Sequence, residues 1–175
     1  GAIERPVPIP GWTLPGVMSA GAAQIMLKSG GLVPSGRAVL AGQGPLLWLL
    51  AAQLVRVGSP PSLILETTPH ANYLAAAPLL PGRLWSGRRA LVKGFGLIRE
   101  VKRADIPIVR GVAGLRALGR DRVERVAWNG GDVPVDLLVL HEGVIPNTQI
   151  SLALQLEHRW DAAQLCWRPA ADEWG

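Results

Sequence analysis

The chain is short of cysteine, of lysine and of aromatic residues other than tryptophan, and each shortage excludes something. Its single cysteine, Cys166, leaves no internal disulfide and no C-x-x-C redox pair. His70, His141 and His158 are scattered, and His158 with Cys166 supplies only two ligands, so no metal site is expected. The net charge of +5 and the pI near 10.3 come from arginines dispersed along the chain, with Lys28, Lys93 and Lys102 the only lysines. The tryptophans do not interleave with a basic run, so nucleic acid is not an expected partner. The most apolar stretch, Leu46 to Val55, includes Gln53 and falls well short of the roughly 20 residues of a membrane span. No basic region followed by an apolar run opens the sequence. No secretory signal is therefore expected, and a cytoplasmic location is.

What is present is a hydrophobic content of 49% in 175 residues, enough for one folded domain with its own core. The chain is organised around Arg37 to Gly58. Ala38 to Ala41 is a short apolar run suited to a strand buried on both faces. It breaks at Gly42-Gln43-Gly44, after which Pro45 opens an apolar segment ending in Arg56 and Gly58, the start and stop signals of a helix. A missing Cβ at Gly42 permits a tight reversal. A missing Cβ at Gly44 lets a pyrophosphate approach the backbone at the positive end of the helix. In a chain with 21 glycines, the same G-x-G also suits an ordinary turn.

The next apolar run, Ser62 to Leu65, ends in Glu66, which lies 24 residues beyond Gly42. That is close to the roughly 20 expected for the acid that binds an adenosine ribose. A carboxylate there accepts hydrogen bonds from the 2′- and 3′-hydroxyls and repels a 2′-phosphate. No arginine occurs in Thr67 to His70, so NAD(H) is expected over NADP(H). The alternative is a solvated strand-end glutamate.

Elsewhere, proline-rich Gly1 to Gly16 reads as an extended connector, and Val17 to Lys28 as a helix closed by Gly30-Gly31. A short helix is expected around Asn72 to Ala77 and a longer one over Leu84 to Arg103, with Leu84, Leu91, Phe95 and Ile98 as its apolar positions. Ile106 to Val109 is a third buried-strand candidate. Val112 to Leu118 and Val123 to Trp128 form a small meander, Asn129 to Asp132 a turn, and Val135 to His141 a last strand. The fold class is therefore α/β: a Rossmann-like open parallel sheet with helices on both faces and a small antiparallel β-meander. Ligands bind beyond the carboxyl ends of such strands, the edge to which Gly42, Glu66 and Gly143 are assigned.

The segments ERPVPIPGWTLPGVMSAGAAQ, AGQGPLLWLLAAQL followed by LILE, LHEGVIPNTQ and the closing WRPAADEWG carry a resemblance. The chain resembles the NAD-binding domain of the FAD-dependent pyridine nucleotide-disulfide oxidoreductase superfamily. Within it, the chain is most similar to the flavin subunits of opine oxidases, hydrogen cyanide synthase and dye-linked proline dehydrogenases. The resemblance implies a domain inserted between two halves of an FAD domain. Residues 1–35 are then a connector and helix from the FAD-domain crossover, 36–148 the NAD(P)-binding Rossmann-like domain, and 149–175 a tail returning to the FAD domain. The glycine motif for FAD would precede Gly1 and the closing strand would follow Gly175, so FAD is expected in the parent protein but not on this chain.

Residue by residue, the resemblance places Gly42, Gln43, Gly44 and Pro45 in the phosphate turn and Leu46 at the helix start. It makes Glu66 the ribose acid and Gly143 the glycine near the nicotinamide, with Pro146 and Asn147 crossing back. Leu47 departs from the small residue usual at the third motif position. Hydride chemistry belongs to the cofactors, so no catalytic residue is expected from this chain, and the isolated chain is expected to be inactive. Expected partners are the FAD domain of the same parent, partner dehydrogenase subunits, and a second copy in a homo-oligomer. The alternative is a module of a multisubunit amino-acid or opine dehydrogenase that holds an adenine nucleotide or serves only as structure.

Overall fold

The computed structural model describes residues 1–69, 71–73 and 88–171. By contacts the chain divides into one unit over Pro6–Glu142 and a second over Gly1–Arg5 with Gly143–Gly175.

The larger unit is built on a five-stranded sheet. Its strands are β2 (Val17–Ser19), β3 (Ala38–Gln43), β4 (Leu63–Glu66), β5 (Ile108–Arg110) and β9 (Leu137–Glu142). They lie in the order β2-β9-β3-β4-β5, and every neighbouring pair is parallel. Central β3 is buried from Ala38 to Gly42, as a continuous apolar run in a parallel sheet requires. Alternation then sorts its side chains. Leu40, Ile64 and Val139 face one core, while Val39, Ala41, Leu65, Leu138 and Leu140 face another.

The parallel sheet, flanking helices and meander are the architecture the sequence implies. The two faces are covered unlike each other among the described residues. On the first lie α1 (Ala20–Gly30), α2 (Pro45–Arg56) and α3 (Arg88–Arg103). On the second lie Val112, Leu115 and the antiparallel meander of β6 (Arg116–Leu118), β7 (Arg125–Trp128) and β8 (Gly131–Pro134). Val7, Ile9 and Leu14 of the proline-rich segment pack there too, held by hydrogen bonds from Ala117 N to Pro10 O (2.8 Å) and from Val123 N to Pro15 O (2.8 Å).

Helix α2 keeps both sequence-read ends, with Pro45 in the first turn and Arg56 in the last. Arg56 forks onto Glu100 of α3 at 2.7 and 2.6 Å, tying the two helices together. Leu47, Leu50 and Ala51 have no exposed surface, and burying a leucine is worth about 1.5–3 kcal/mol.

Several segments of the larger unit differ from the sequence reading. Val17–Ser19 is a strand, not a first helical turn, because it pairs with β9 and because Ser19 is the extended N-cap of α1, accepting from Ala22 N at 3.3 Å. The turn expected over Asn129 to Asp132 is confined to Asn129 and Gly130, and Gly131–Pro134 is the third meander strand. Among the described side chains of α3, Leu97 and Val101 are buried and Ile98 packs against the same core as expected, while Phe95 is 68% exposed. The short helix expected over Asn72 to Ala77 and the start of the long one at Leu84 fall largely outside the described residues.

In the smaller unit, β1 (Ala2–Glu4) pairs antiparallel with β10 (Val144–Pro146), so the opening segment is more than a connector. Arg5 N donates to Gly143 O at 2.9 Å, and the Arg5 guanidinium donates to the carbonyls of Gln164 and Leu165. The hairpin of β11 (His158–Asp161) and β12 (Cys166–Pro169) sets Trp160 against Trp167, edge to face at 5.5 Å. Cys166 is buried. Helix α4 (Gln149–Ala153) buries nothing, and Ile150, Leu152, Leu154, Trp160 and Trp167 are all exposed.

Two glycines separate backbone need from tolerance. Gly42 has φ +136°, and a Cβ there would lie 1.8 Å from His141 O, whereas a Cβ on Gly96 in α3 meets nothing within 4 Å. Gly42→Ala is expected to lose stability by at least about 3 kcal/mol, since overpacking and backbone strain add. Gly96→Ala should gain roughly 1 kcal/mol from helix propensity. Urea unfolding of the two variants checks the opposite signs.

A second expectation concerns the amino ends of β3 and β9. Asp136 accepts from Arg37 N (2.8 Å) and from the Arg37 guanidinium (3.0 and 3.3 Å), and these bonds hold its carboxyl down at about 2 from the usual 3.8. A depressed folded value means stabilisation that is fully present above 3.8 and lost as pH falls through about 2. Asp136→Asn should therefore lower the urea midpoint at neutral pH, and the gap to wild type should close in acid.

Candidate functional site

The candidate site lies where the carboxyl ends of β3, β4 and β9 meet. Registry sets Gly42 beside Glu66 on one side and beside His141 on the other. Strand order reverses between β3 and β9, where ligands usually bind in open α/β sheets; the cleft itself is lined from the start of α2, from β4 and β5 and from α3.

Gly44, at φ +92° and ψ 170°, is the N-cap of α2 and offers no side chain to the helix end. The first N–H groups of a helix lack intrahelical partners, so this end keeps donors for a ligand. What demands glycine at Gly44 is the positive φ; an added Cβ would sit 3.7 Å from His141 Nε2, an ordinary contact. Leu46 packs its side chain against the core and can contribute only backbone. Leu47, at the departed motif position, is fully buried.

Gln43 does not face open space. Its Nε2 donates to Glu142 Oε2 at 2.7 Å, while Thr67 Oγ1 donates to Glu142 Oε1 at 2.7 Å. Thr67 N also donates to Gly42 O at 3.0 Å. Glu142 thus fastens the ends of three neighbouring strands.

Glu66 is 4% exposed. The Tyr73 hydroxyl donates to its Oε1, and Arg110 Nε stands 3.2 Å from its Oε2. Yet among the described residues Oε2 is buried without a hydrogen bond, so the guanidinium stands as a close countercharge and not as a donor to it. One acceptor of the carboxylate is left to fill. Glu66, Gly44, Pro45, Trp48, Tyr73 and Arg110 line a cleft of about 380 Å³, faced across by Leu97 and Ile98 of α3.

Of the residues singled out from sequence, Gly42, Gln43, Gly44, Pro45 and Glu66 come together at this edge. Gly143, at φ +90°, belongs to the smaller unit, where its carbonyl accepts from Arg5. Pro146 and Asn147 belong there too, and Asn147 N donates to Gly1 O at 2.9 Å. Sequence reasoning passed over Arg110, Tyr73, Thr67 and Glu142. Arg110 had a signal, since it follows the third strand candidate and so ends on the same sheet edge.

Tyr73 is the chain's single tyrosine, which makes it directly observable. Partial burial, then its hydrogen bond to Glu66, raises its phenol above the usual 10.0. Ultraviolet difference titration should show ionisation above that value, and Glu66→Gln should move it back toward normal.

No family model matches the chain. An opine oxidase subunit of Agrobacterium tumefaciens (strain Ach5) is 42% identical over 179 residues, taking in 100% of this chain and 35% of that protein. Hydrogen cyanide synthase subunit HcnB of Pseudomonas aeruginosa is 33% identical over 170 residues, 90% of this chain and 36% of that protein. A solved FAD-dependent pyridine nucleotide-disulphide oxidoreductase from Desulfovibrio vulgaris superposes with a TM-score of 0.60 at 20% identity, covering 90% of this chain and 37% of that one. The chain spans about a third of the length of the relatives it matches. It is thus a homologue of one third of these opine oxidase and HcnB subunits, with the Rossmann-like fold of FAD-dependent pyridine nucleotide-disulphide oxidoreductases.

Proposed function

We propose that this chain is the NAD(H)-binding central domain of a longer FAD-dependent oxidoreductase. The observation that carries this is Glu66: a buried carboxylate with an unfilled acceptor, lining a cleft that also reaches the bare N-cap of α2. A ribose hydroxyl supplies the donor that Oε2 lacks, and the Gly44 end supplies donors for phosphate. When bound, the nicotinamide supplies hydride exchange with flavin. The chain's own part is to hold and orient: Glu66 the adenosine ribose, Gly42 to Leu46 the pyrophosphate, Trp48 and the α3 side chains the walls of the cleft.

Residues 36–148 are assigned to nucleotide binding, with 1–35 and 149–175 joining the FAD domain. The apolar side chains exposed on α4 and the β11–β12 hairpin support a covering protein surface, from the FAD domain or another chain. Matching proteins named as subunits support partner dehydrogenase subunits in the parent assembly. No helix among the described residues is long and apolar enough to cross a membrane. A cytoplasmic location and assembly into homo-oligomers complete the proposal.

A second reading is favoured by Glu142. Its carboxylate engages Gln43 beside the phosphate turn, and a negative charge there opposes a pyrophosphate. On that view the domain holds an adenine nucleotide without redox exchange, or organises a multisubunit amino-acid or opine dehydrogenase.

Titrating NADH, NAD and ADP into the flavin-loaded parent separates the two. Flavin reduction by NADH is expected; binding of ADP and NADH alike with the flavin left oxidised would favour the module. Glu66→Gln should weaken NADH by about 1.5–3 kcal/mol, the worth of hydrogen bonds to a charged acceptor. Unchanged NADH affinity in the folded variant would remove Glu66 from the site.

A further inference from the structure

Acid at the end of the second strand, with no arginine in the following residues, is the pattern that rejects a 2′-phosphate by charge repulsion. Folding changes the local charge. Glu66 and Arg110 are registry partners on adjacent parallel strands, so β5 delivers a guanidinium to the same carboxylate. The carboxylate side chain is 5% exposed and the arginine 50% exposed. The acid is therefore the floor of the cleft and the cation its rim. Among the described residues no N–H of Arg110 is spent on Oε2, and the half-exposed guanidinium stands at the rim.

We propose that Glu66 and Arg110 form a charge-compensated ribose subsite that accepts a 2′-phosphate as well as a 2′-hydroxyl, with Arg110 as the residue that takes the phosphate. This rests on the nucleotide-binding role given above for the cleft. A ribose hydroxyl bonded to Oε2 lies about 2.7 Å from that oxygen. The Arg110 Nε is 3.2 Å from the same atom, so a phosphate carried on the 2′-oxygen enters the reach of the guanidinium. Arginine binds phosphate through paired, charge-assisted hydrogen bonds, whereas an isolated glutamate would only repel it. Half exposure of Arg110 makes this contact sensitive to salt.

The test compares 5′-AMP with adenosine 2′,5′-bisphosphate, which differ only in the 2′-phosphate, by calorimetric titration of the full-length protein. Wild type is expected to bind the bisphosphate at least as tightly as AMP, with its advantage shrinking as salt rises. Arg110→Ala should weaken the bisphosphate about tenfold or more, a loss of one charge-assisted contact, while AMP changes far less. Arg110→Lys should restore part of that. Removing Arg110 also uncovers the charge of Glu66, so the same comparison is made between Glu66→Gln and Glu66→Gln/Arg110→Ala, each checked for folding by circular dichroism. A bisphosphate loss in the double variant relative to the single one assigns the contact to Arg110 itself. AMP binding with the bisphosphate more than about tenfold weaker in wild type would overturn the proposal and leave the nucleotide site standing. Equal losses for both ligands on removing Arg110 would do the same. Failure of both ligands to bind wild type would remove the nucleotide site, and the subsite with it.

Discussion

The close approach of β3 and β9 at Gly42 is the constraint on which the rest of the structure depends. Any side chain at Gly42 would occupy the space of the His141 carbonyl, so these two central strands run side by side only because that position is bare. Their pairing continues to Gln43 and Glu142, where strand order reverses. The turn into α2 and the fastening of Gln43 and Thr67 by Glu142 stand directly beside that contact.

Two carboxylates end on this edge, and the structure treats them differently. Glu142 is met by neutral donors, an amide and a hydroxyl, which orient it without cancelling its charge. Glu66 is met by a phenol that donates to one oxygen and by a cation that offsets its charge, and the other oxygen is short of a donor. Burial of an unsatisfied carboxylate oxygen costs free energy that a ligand hydroxyl recovers. The edge is thus polarised, compensated near the cleft floor and anionic beside the glycine turn.

Much of this was legible where the signal is local. Pro45 and Arg56 mark α2 because helix ends select residues by their own backbone chemistry, and Glu66 is marked by its spacing from the glycines. Val17–Ser19 was not legible, since its strand character comes from a partner at Leu138 to Leu140, far along the chain. Gly131–Pro134 carries turn residues and becomes a strand only at the meander's edge. Arg110 escaped for a related reason: registry between separate strands, not neighbourhood in sequence, brings it to Glu66. Phe95 is exposed while Leu97 and Val101, one turn apart, are buried, because α3 turns the face of those two residues and Ile98 toward the core.

The pairing of β1 with β10 has a consequence for the chain between them. Residues Pro6–Glu142 leave and rejoin the smaller unit at Arg5 and Gly143, whose backbones are hydrogen-bonded at 2.9 Å. The larger unit is therefore an insertion whose two ends are held at one point, like the neck of a purse. As long as the smaller unit stays folded, holding the ends together restricts the unfolded ensemble of everything in the loop. It also means that the larger unit has adjacent termini. Such a segment can be lifted out, permuted or set into another host without its central sheet being cut.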